Sequence, residues 1–417
     1  MSSSDSSRRD FLAGRSLRSE VESAAARAGD ALIEGTAAGG VTAPGSGPTV
    51  RLGTRAMACD FHVMLNAGPD STVETWHASD ALNLVHQLED QMTVYRETSD
   101  LLEINRQAAI GAAPVEARLF ELLLDAKRIC EETGGAFDPT SQPVVSLWRA
   151  CREESRVPRE AELAEALARV GFEHVEFGHP AGATEGGARD GGSGSPPHPA
   201  PLPHKGERGL LRALPATVRF KRPGVELNLN GIGKGYALDR AAELLAGAES
   251  GYEIRNWLLH GGHSSVLARG EHFQQGTTGP LGGWPVGIRN PLFPDERLAT
   301  VLLRNQAMGT SGSGVQYFRV GGKRYGHVLD PRTGWPVDHL LSVTVLADSA
   351  AEADALSTAF FVMGLEKAIE FCQNRLDVRA LLIPPPHRGR TLEPVVCGIS
   401  NEDLFFAPDA SASPASF

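Results

Sequence analysis

Residues 342–363 read SVTVLADSAAEADALSTAFFVM and contain a complete strand-to-helix transition. The apolar, β-branched run at 342–346 predicts a strand. Ser349, followed three residues later by Glu352, forms a capping box, which predicts a helix over 350–363. Because hairpin signals occur elsewhere without regular strand–helix alternation, this transition favours an α+β protein over a doubly wound parallel sheet.

The same helix carries polar side chains on one face. Asp354 and Thr358 are four residues apart, and Ser357 is adjacent to that face. A carboxylate and two hydroxyls are hard oxygen donors, which suit Mg²⁺ or Ca²⁺ better than zinc. Asp and Thr at this spacing are also common on ordinary helices, so the pattern alone leaves both interpretations open.

A second stretch, NLNGIGKGY at 228–236, places three alternate glycines between a predicted strand (225–229) and a predicted helix (236–245). Glycines let the backbone approach a ligand closely, and a helix N-terminus beside Lys234 attracts anions such as phosphate. The pattern is neither a dinucleotide fingerprint nor a P-loop. A tight strand-to-helix turn explains it equally well.

A third stretch, GKRYGHVLDPRTG at 322–334, follows a predicted hairpin whose strands (315–320 and 323–329) meet at Gly321-Gly322. His327 stands near the end of the second strand, where an imidazole can act as a general base at neutral pH or serve a purely structural role.

Upstream, GGAFDPT at 134–140 presents an aromatic ring and a carboxylate after a helix, or simply ends that helix.

Periodicity predicts further elements, namely a strand at 57–65 and helices at 78–92 and 117–133. Residues 1–48 and 409–417 are expected to be tails, and 49–408 one two-lobed body. The Gly/Pro-rich stretch at about 178–216 is expected to be a flexible insertion within that body.

Composition limits the possible functions. The chain has 417 residues with 40 basic and 51 acidic side chains, a net charge of −11, which argues against nucleic acid as a partner. Five widely spaced cysteines indicate neither a disulfide framework nor a zinc site. The N-terminal SRRDFL is similar to a twin-arginine signal but lacks a following apolar core, so cytoplasmic and exported locations both stay open.

Taken in order, these motifs resemble one family. MACDFHV at 57–63, MTVYR at 92–96, GAFDPT at 135–140 and NLNGIGKGY at 228–236 are followed by TSGS at 310–313 and the two C-terminal stretches. The series resembles the FAD:protein FMN transferase (ApbE) family from about residue 50 to 405. The resemblance implies an ApbE-like two-lobed α+β fold of mixed, largely antiparallel sheets with packed helices.

The resemblance also implies a reaction. With Mg²⁺, a family member cleaves the pyrophosphate of FAD, transfers FMN to a Ser or Thr of a target flavoprotein and releases AMP. The implied acceptor is a redox-pump or electron-transfer subunit with a Ser/Thr flavinylation motif. Two alternatives remain: an FAD pyrophosphatase that gives FMN and AMP, and a non-catalytic flavin-binding protein.

The family's residue roles transfer by matching position. His327 would be the catalytic base. The expected FAD-binding residues are Met57, Tyr95, Ala136, Phe137, Asp138, Asn228, Lys234 and Leu329. The expected Mg²⁺ ligands are Gly231, Asp354, Ser357 and Thr358. The chain departs from the family pattern at Asn228, where Asp is usual, and at Ala58-Cys59, where Gly-Thr is often found.

Overall fold

A computed structural model describes residues 49–68, 71–178, 216–248, 250–273, 282–313, 317–407 and 415–416. The predicted N-terminal tail, nearly all of the predicted insertion and most of the predicted C-terminal tail lie outside these residues. Within the described ranges, no helix is both long enough and apolar enough to cross a membrane.

Eight α-helices are present in the described residues. They are α1 (Ser71–Met92), α2 (Asp100–Ala108), α3 (Ala117–Glu132), α4 (Gln142–Glu153), α5 (Glu160–Leu167), α6 (Gly233–Leu245), α7 (Ala350–Met363) and α8 (Leu365–Asn374). The predicted helix at 350–363 is confirmed in both bounds, and Ser349 caps it by accepting a hydrogen bond from the Glu352 amide at 3.3 Å.

The strands form one large sheet and three small ones. They are β1 (Thr49–Ala56), β2 (Cys59–Asn66), β3 (Ala113–Pro114), β4 (Val175–Gly178), β5 (Thr217–Phe220), β6 (Trp257–Gly261), β7 (Ser265–Arg269), β8 (Trp284–Arg289), β9 (Arg297–Leu303), β10 (Ala307–Gly312), β11 (Tyr317–Val320), β12 (Lys323–Gly326), β13 (Ser342–Ala347), β14 (Arg379–Ile383), β15 (Val395–Cys397), β16 (Leu404–Phe406) and β17 (Ala415–Ser416). The large sheet has the order β1-β2-β6-β7-β10-β13-β14-β15-β17, and all its pairs are antiparallel except β15–β17. Mixed helices with a largely antiparallel sheet confirm the predicted α+β class.

Each face of the large sheet packs against a different layer. Alternate side chains of β6 divide between two cores: Leu259 joins the core under α1, α6 and α7, and Leu258 joins the core under β8, β9 and β16. The sheet is therefore covered on both sides, which explains why strands such as β13 are buried along their whole length.

Helices α6 and α7 are held together through Asp239. Its carboxylate accepts hydrogen bonds from the Ser349 hydroxyl at 2.8 Å and from the amides of Ala350 and Ala351 at 2.8 and 2.9 Å. A carboxylate at a helix N-terminus satisfies amides that have no partner within the helix. This contact determines where α7 begins relative to α6.

One predicted strand is wrong, and another begins later than predicted. Residues 225–229 are extended but form only an isolated bridge, between Glu226 and Ser141. The predicted strand at 57–65 begins only at Cys59, because Met57 and Ala58 make the β1–β2 turn with positive φ angles of 49° and 59°. Apolar alternation alone does not distinguish a strand from the turn residues that precede it.

Candidate active site

A cleft of about 600 Å³ opens between α4, α7, the start of α6 and the β11–β12 hairpin. Twelve of the thirteen residues expected from the sequence line it. They are Tyr95, Ala136, Phe137, Asp138, Asn228, Gly231, Lys234, His327, Leu329, Asp354, Ser357 and Thr358. The residues are up to 263 positions apart in the chain, so their convergence is a result of the tertiary fold.

Asp354 lies buried at the floor of the cleft. Its carboxylate accepts hydrogen bonds from the Ser265 hydroxyl at 2.7 and 2.8 Å and from the Gly235 amide at 2.9 Å. Burial raises the pKa of Asp354 to about 6, although Lys234 and these hydrogen bonds act in the opposite direction. The Gly235 amide, in the first turn of α6, therefore donates to the carboxylate of Asp354. The glycines around it also allow close helix packing.

Three hydroxyls cluster beside Asp354. The Ser311 hydroxyl lies 2.9 Å from Ser357 Oγ and 3.2 Å from Thr358 Oγ1. Ser357 and Thr358 also donate to the Asp354 carbonyl at 2.9 and 3.2 Å. Ser311 was not expected as a site residue. Its only sequence signal is the TSGS stretch, and pairing of β10 with β13 brings it to the helix.

Lys234 provides the positive charge of the floor. Its ammonium group contacts the hydroxyl of Ser264, which directly precedes β7. The side chain lies on the first turn of α6 and is partly exposed to the cleft. A cation at this depth favours an anionic group of a bound ligand.

One wall of the cleft is the 136–138 segment. The Asp138 carboxylate accepts hydrogen bonds from the Thr140 amide at 2.8 Å and the Thr140 hydroxyl at 2.7 Å. Burial raises the pKa of Asp138 above its ordinary value. The neighbouring Phe137 ring lies close to Gly231, where an added Cβ would stand 3.2 Å from the ring. Gly231 therefore allows the aromatic wall to approach the floor.

A polar network joins the wall to the rim. Asn228 accepts a hydrogen bond from the Asn230 amide at 2.8 Å and donates to the Gln142 side chain. Asn230 in turn donates to the Tyr95 hydroxyl at 3.3 Å. The Asn228 side-chain amide is thus a hydrogen-bond donor to Gln142, a role that a carboxylate at position 228 could not fill. Neither Gln142 nor Asn230 was expected from the sequence.

The rim is exposed. The Tyr95 side chain is 67% exposed, and His327 is exposed just after β12. After His327 the chain makes a tight turn in which the Asp330 carboxylate accepts three hydrogen bonds from Arg332, at 2.8 to 2.9 Å. This turn fixes the path of the segment that carries His327 and Leu329.

Met57 is the expected residue that does not line the cleft. It lies in the β1–β2 turn and packs, partly buried, against the larger core. Its neighbour Cys59 sits against the β6–β7 turn, where an added Cβ on Gly262 would be 3.0 Å from Cys59 Cβ. The turn that shortens the predicted strand also sets Met57 away from the cleft-lining residues.

The donor set of the floor fits a hard cation. Asp354, Ser311, Ser357 and Thr358 contribute only oxygen atoms, and Gly231 is close, with an added Cβ 3.9 Å from Thr358 Oγ1. Mg²⁺ is typically held by one or two carboxylates with substrate phosphates completing its coordination. No cluster of three or more His, Cys, Asp or Glu side chains suited to a metal occurs among the described residues.

The fold and the cleft together define a class: an α+β protein whose central cleft combines an oxygen-lined floor, a lysine and an aromatic wall. Comparison with known proteins agrees with this class. The model of the ApbE family matches residues 57–382, and the chain belongs to the ApbE family.

Named relatives are similar over most of their length. An FAD:protein FMN transferase of Treponema pallidum (strain Nichols) is 30% identical over 320 residues, which cover 76% of this chain and 79% of that protein. An FAD:protein FMN transferase of Haemophilus influenzae is 28% identical over 342 residues, covering 80% and 86%. The crystal structure of an ApbE protein from Thermotoga maritima aligns with a TM-score of 0.62 and 26% identity, over 81% of this chain and 94% of that one.

Proposed function

We propose that this chain is an FAD:protein FMN transferase, which moves FMN from FAD to a Ser or Thr hydroxyl of a target flavoprotein and releases AMP. The convergence of Lys234, Asp354 and His327 in one cleft carries the proposal. Two relatives that bear this name cover 76% and 80% of the chain, which supports it.

The floor and the wall of the cleft would contact different parts of FAD. Lys234 offers its ammonium group to the pyrophosphate, and Phe137 and Tyr95 offer aromatic surface to the flavin or the adenine ring. Asp138, Asn228, Ala136 and Leu329 shape the remaining contacts. Because Asp138 and Asn228 are already held by neighbouring groups, they are ordered before a ligand binds, which lowers the entropic cost of binding.

Asp354, Ser357, Thr358 and the Gly231 carbonyl would hold Mg²⁺. When bound, this ion neutralises pyrophosphate charge and stabilises the charge that develops during transfer. Asp354 is buried at the floor, so its carboxylate would hold a negative charge at one fixed position. The hydroxyls contribute ligands without further net charge.

The transfer step is a substitution at phosphorus. The acceptor hydroxyl oxygen forms a bond to the phosphorus of the FMN moiety, the bond from that phosphorus to the bridging oxygen breaks, and AMP departs with that oxygen. His327 Nδ1 or Nε2 takes the proton of the acceptor hydroxyl. His327 is at the exposed rim, where a protein acceptor can reach it.

The same exposure favours one second candidate. Water has access to His327, so the chain would act as an FAD pyrophosphatase, giving free FMN and AMP, if no acceptor hydroxyl occupied the rim. The two activities use the same floor and differ only in the nucleophile.

One experiment separates these functions. The protein is incubated with FAD, Mg²⁺ and a redox-pump subunit that carries a Ser/Thr flavinylation motif, and the subunit is weighed by mass spectrometry. An FMN adduct with equimolar AMP is the expected result. Free FMN and AMP without an adduct would establish the pyrophosphatase, and tight FAD binding without either product would establish a non-catalytic flavin-binding protein.

A further inference from the structure

The β11–β12 hairpin is a two-stranded ribbon that joins no other sheet among the described residues. Its register pairs Phe318 with Tyr325 and Arg319 with Arg324. Because side chains alternate along a strand, Phe318 and Tyr325 share one face and the two arginines share the other, together with Tyr317. The ribbon therefore has an aromatic face and a basic face.

The aromatic face anchors the ribbon to the body of the protein. Trp148 of α4 packs against Phe318 and Tyr325, with ring centroids 5.9 and 5.6 Å apart. The Trp148 indole N–H also donates to the Gly334 carbonyl at 2.6 Å. These contacts account for the apolar side of the ribbon and fix its orientation.

The basic face is exposed to solvent, and Arg324 on it donates a hydrogen bond to the Ser313 carbonyl at 3.2 Å. Arg319 and Arg324 are exposed and directly opposite each other, a pairing of like charges that disfavours the hairpin by itself. Their guanidinium groups lie 5.8 and 4.0 Å from the centroid of the Tyr317 ring. Residues 317–326 contain three basic and no acidic side chains, in a chain whose net charge is −11. A local concentration of positive charge against the overall balance indicates a surface for an acidic partner.

The basic face leads directly to the proposed catalytic rim. Tyr317 lines the cleft, as do Gly326 at the end of β12 and His327 immediately after it. Arg149 and Arg152 of α4 also line the cleft, with the Arg149 guanidinium 6.0 Å from the Tyr95 ring. The acidic side chains that line the cleft, Asp138 and Asp354, are buried in it. The entrance is therefore basic while the acids are inside.

We propose that Tyr317, Arg319 and Arg324 form a docking surface for an acidic segment of the acceptor protein, which is held there with its Ser or Thr directed at His327. The proposal rests on the proposed transferase function and adds the surface that selects the acceptor. Exposed charges at an interface act mainly on encounter rate and partner choice. The ribbon would thus determine which protein is flavinylated, while the floor determines how FAD is cleaved.

The test compares two single charge reversals on the same ribbon. Arg319→Glu changes the basic face, and Lys323→Glu makes a matched change on the aromatic face, where Lys323 lies 5.4 Å from the Tyr325 ring. The double variant Arg319→Glu/Arg324→Glu enlarges the effect. The probes are a redox-pump subunit with a Ser/Thr flavinylation motif and the same subunit with the Asp and Glu residues near its acceptor site changed to Asn and Gln.

We expect Arg319→Glu to lower kcat/KM for the acceptor about tenfold at low salt, mainly through KM, with the double variant lower still. The KM for FAD should stay within about twofold, and the loss should shrink at high salt because the charges are screened. Lys323→Glu should resemble the wild type. The neutralised subunit should be a poor substrate for the wild type and show little further loss with the variants.

Other results would overturn the inference. Equal losses in Arg319→Glu and Lys323→Glu would mean that the ribbon charge acts only on folding, and unchanged acceptor KM in the double variant would exclude docking. Binding of the wild type, but not of the double variant, to phosphatidylserine vesicles with no change in acceptor KM would assign the face to a lipid surface. A wild type without any transferase activity would instead contradict the proposed function itself.

Discussion

The floor and the rim of the cleft are built in opposite ways. The floor around Asp354 is buried and held by backbone and hydroxyl contacts, whereas Tyr95 and His327 at the rim are exposed. On the floor, the carboxylate proposed for chemistry lies next to closely packed backbone. At the rim, the proposed base is exposed, so a change of side chain there should have little effect on folding. We therefore expect changes at the rim to affect transfer more than stability, and changes in the packing of the floor to lower stability.

Two glycines show how closely the floor is packed. A Cβ on Gly235 would stand 2.0 Å from the Ala350 carbonyl oxygen, and a Cβ on Gly309 would stand 2.3 Å from that of Ala353. Only glycine lets α6 and β10 approach the backbone of α7 this closely. Asp354 follows directly after Ala353, so this approach also sets the position of the carboxylate.

The largest expected effect comes from breaking this packing. Gly235→Ala should destabilise the protein by about 3 kcal/mol or more, because the methyl group meets backbone that cannot move aside. Chemical denaturation would measure the loss. Gly111→Ala is the matched control, since an added Cβ there meets nothing within 4 Å. Similar stability of the two variants would contradict the close packing of α6 on α7.

The second effect separates chemistry from stability on the floor. Asp354→Asn should reduce FMN transfer about 10³-fold, because it removes the buried charge that would hold Mg²⁺. Stability should change by less than about 1 kcal/mol, since an amide can still accept from Gly235 and pair with Ser265. Steady-state kinetics and calorimetric Mg²⁺ titration in the presence of FAD would measure both. Transfer at the wild-type rate would exclude Asp354 from the metal site.

The third effect tests the rim. His327→Gln should lower transfer about 10²-fold by removing the base, while FAD binding and stability stay close to those of the wild type. Flavin fluorescence on binding and the midpoint of thermal unfolding are the measurements. A lower midpoint comparable to that of Gly235→Ala would show that the rim is structural and that the contrast with the floor is wrong.

The smallest expected effect concerns His260 of β6, which lies on the face of the large sheet opposite to α7. The Nδ1 atom of His260 is buried without a hydrogen-bond partner among the described residues, and burial, with His263, His62, Arg51 and Lys234 nearby, lowers the pKa of His260 to about 3. An unfolded histidine takes up a proton near pH 6.5. Between that pH and about pH 3, His260 is protonated in the unfolded state but not in the folded state. The free energy of unfolding therefore falls as the pH falls.

Between pH 7 and pH 5 this histidine should reduce the free energy of unfolding by about 1–2 kcal/mol. His260→Gln should remove that part of the acid sensitivity, as measured by urea unfolding at both pH values. His387→Gln, whose side chain is 83% exposed, is the control for loss of one histidine. Equal pH dependence of the two variants would show that His260 is not held neutral by the fold.

Much of the fold was predictable because it depends on local chemistry, whereas most of the lining residues were predicted by the resemblance to a family. The capping box at Ser349, the hairpin turn at Gly321-Gly322 and the helix ending near Gly134 are set by residues a few positions apart. The extended segment at 225–229 was predicted as a strand, and it is not one because its hydrogen-bonding partners come from elsewhere, such as Asn105, whose side chain pairs with the Leu227 backbone.

The residues that sequence reasoning missed share one property. Ser311 and Asn230 line the cleft and Gln142 contacts the lining residue Asn228, and a contact with a distant residue positions each of the three. Ser311 and Asn230 lie within the motifs at 310–313 and 228–236, but nothing local distinguishes them from their polar neighbours. The resemblance to a family identified the positions with strong motifs and passed over these.

The sequence by itself determined the α+β class, the helix that carries Asp354, the hairpin before His327 and the family, because capping, turn chemistry and motif order are local properties. Only the tertiary structure decided that Gly235 and Gly309 serve close packing, that Met57 lies away from the cleft lining, and that Arg319 and Arg324 face the same side of a ribbon at its entrance. The physical reason is that buried contacts and strand register depend on which distant segments meet, and hydrophobic burial of both sheet faces selects that arrangement.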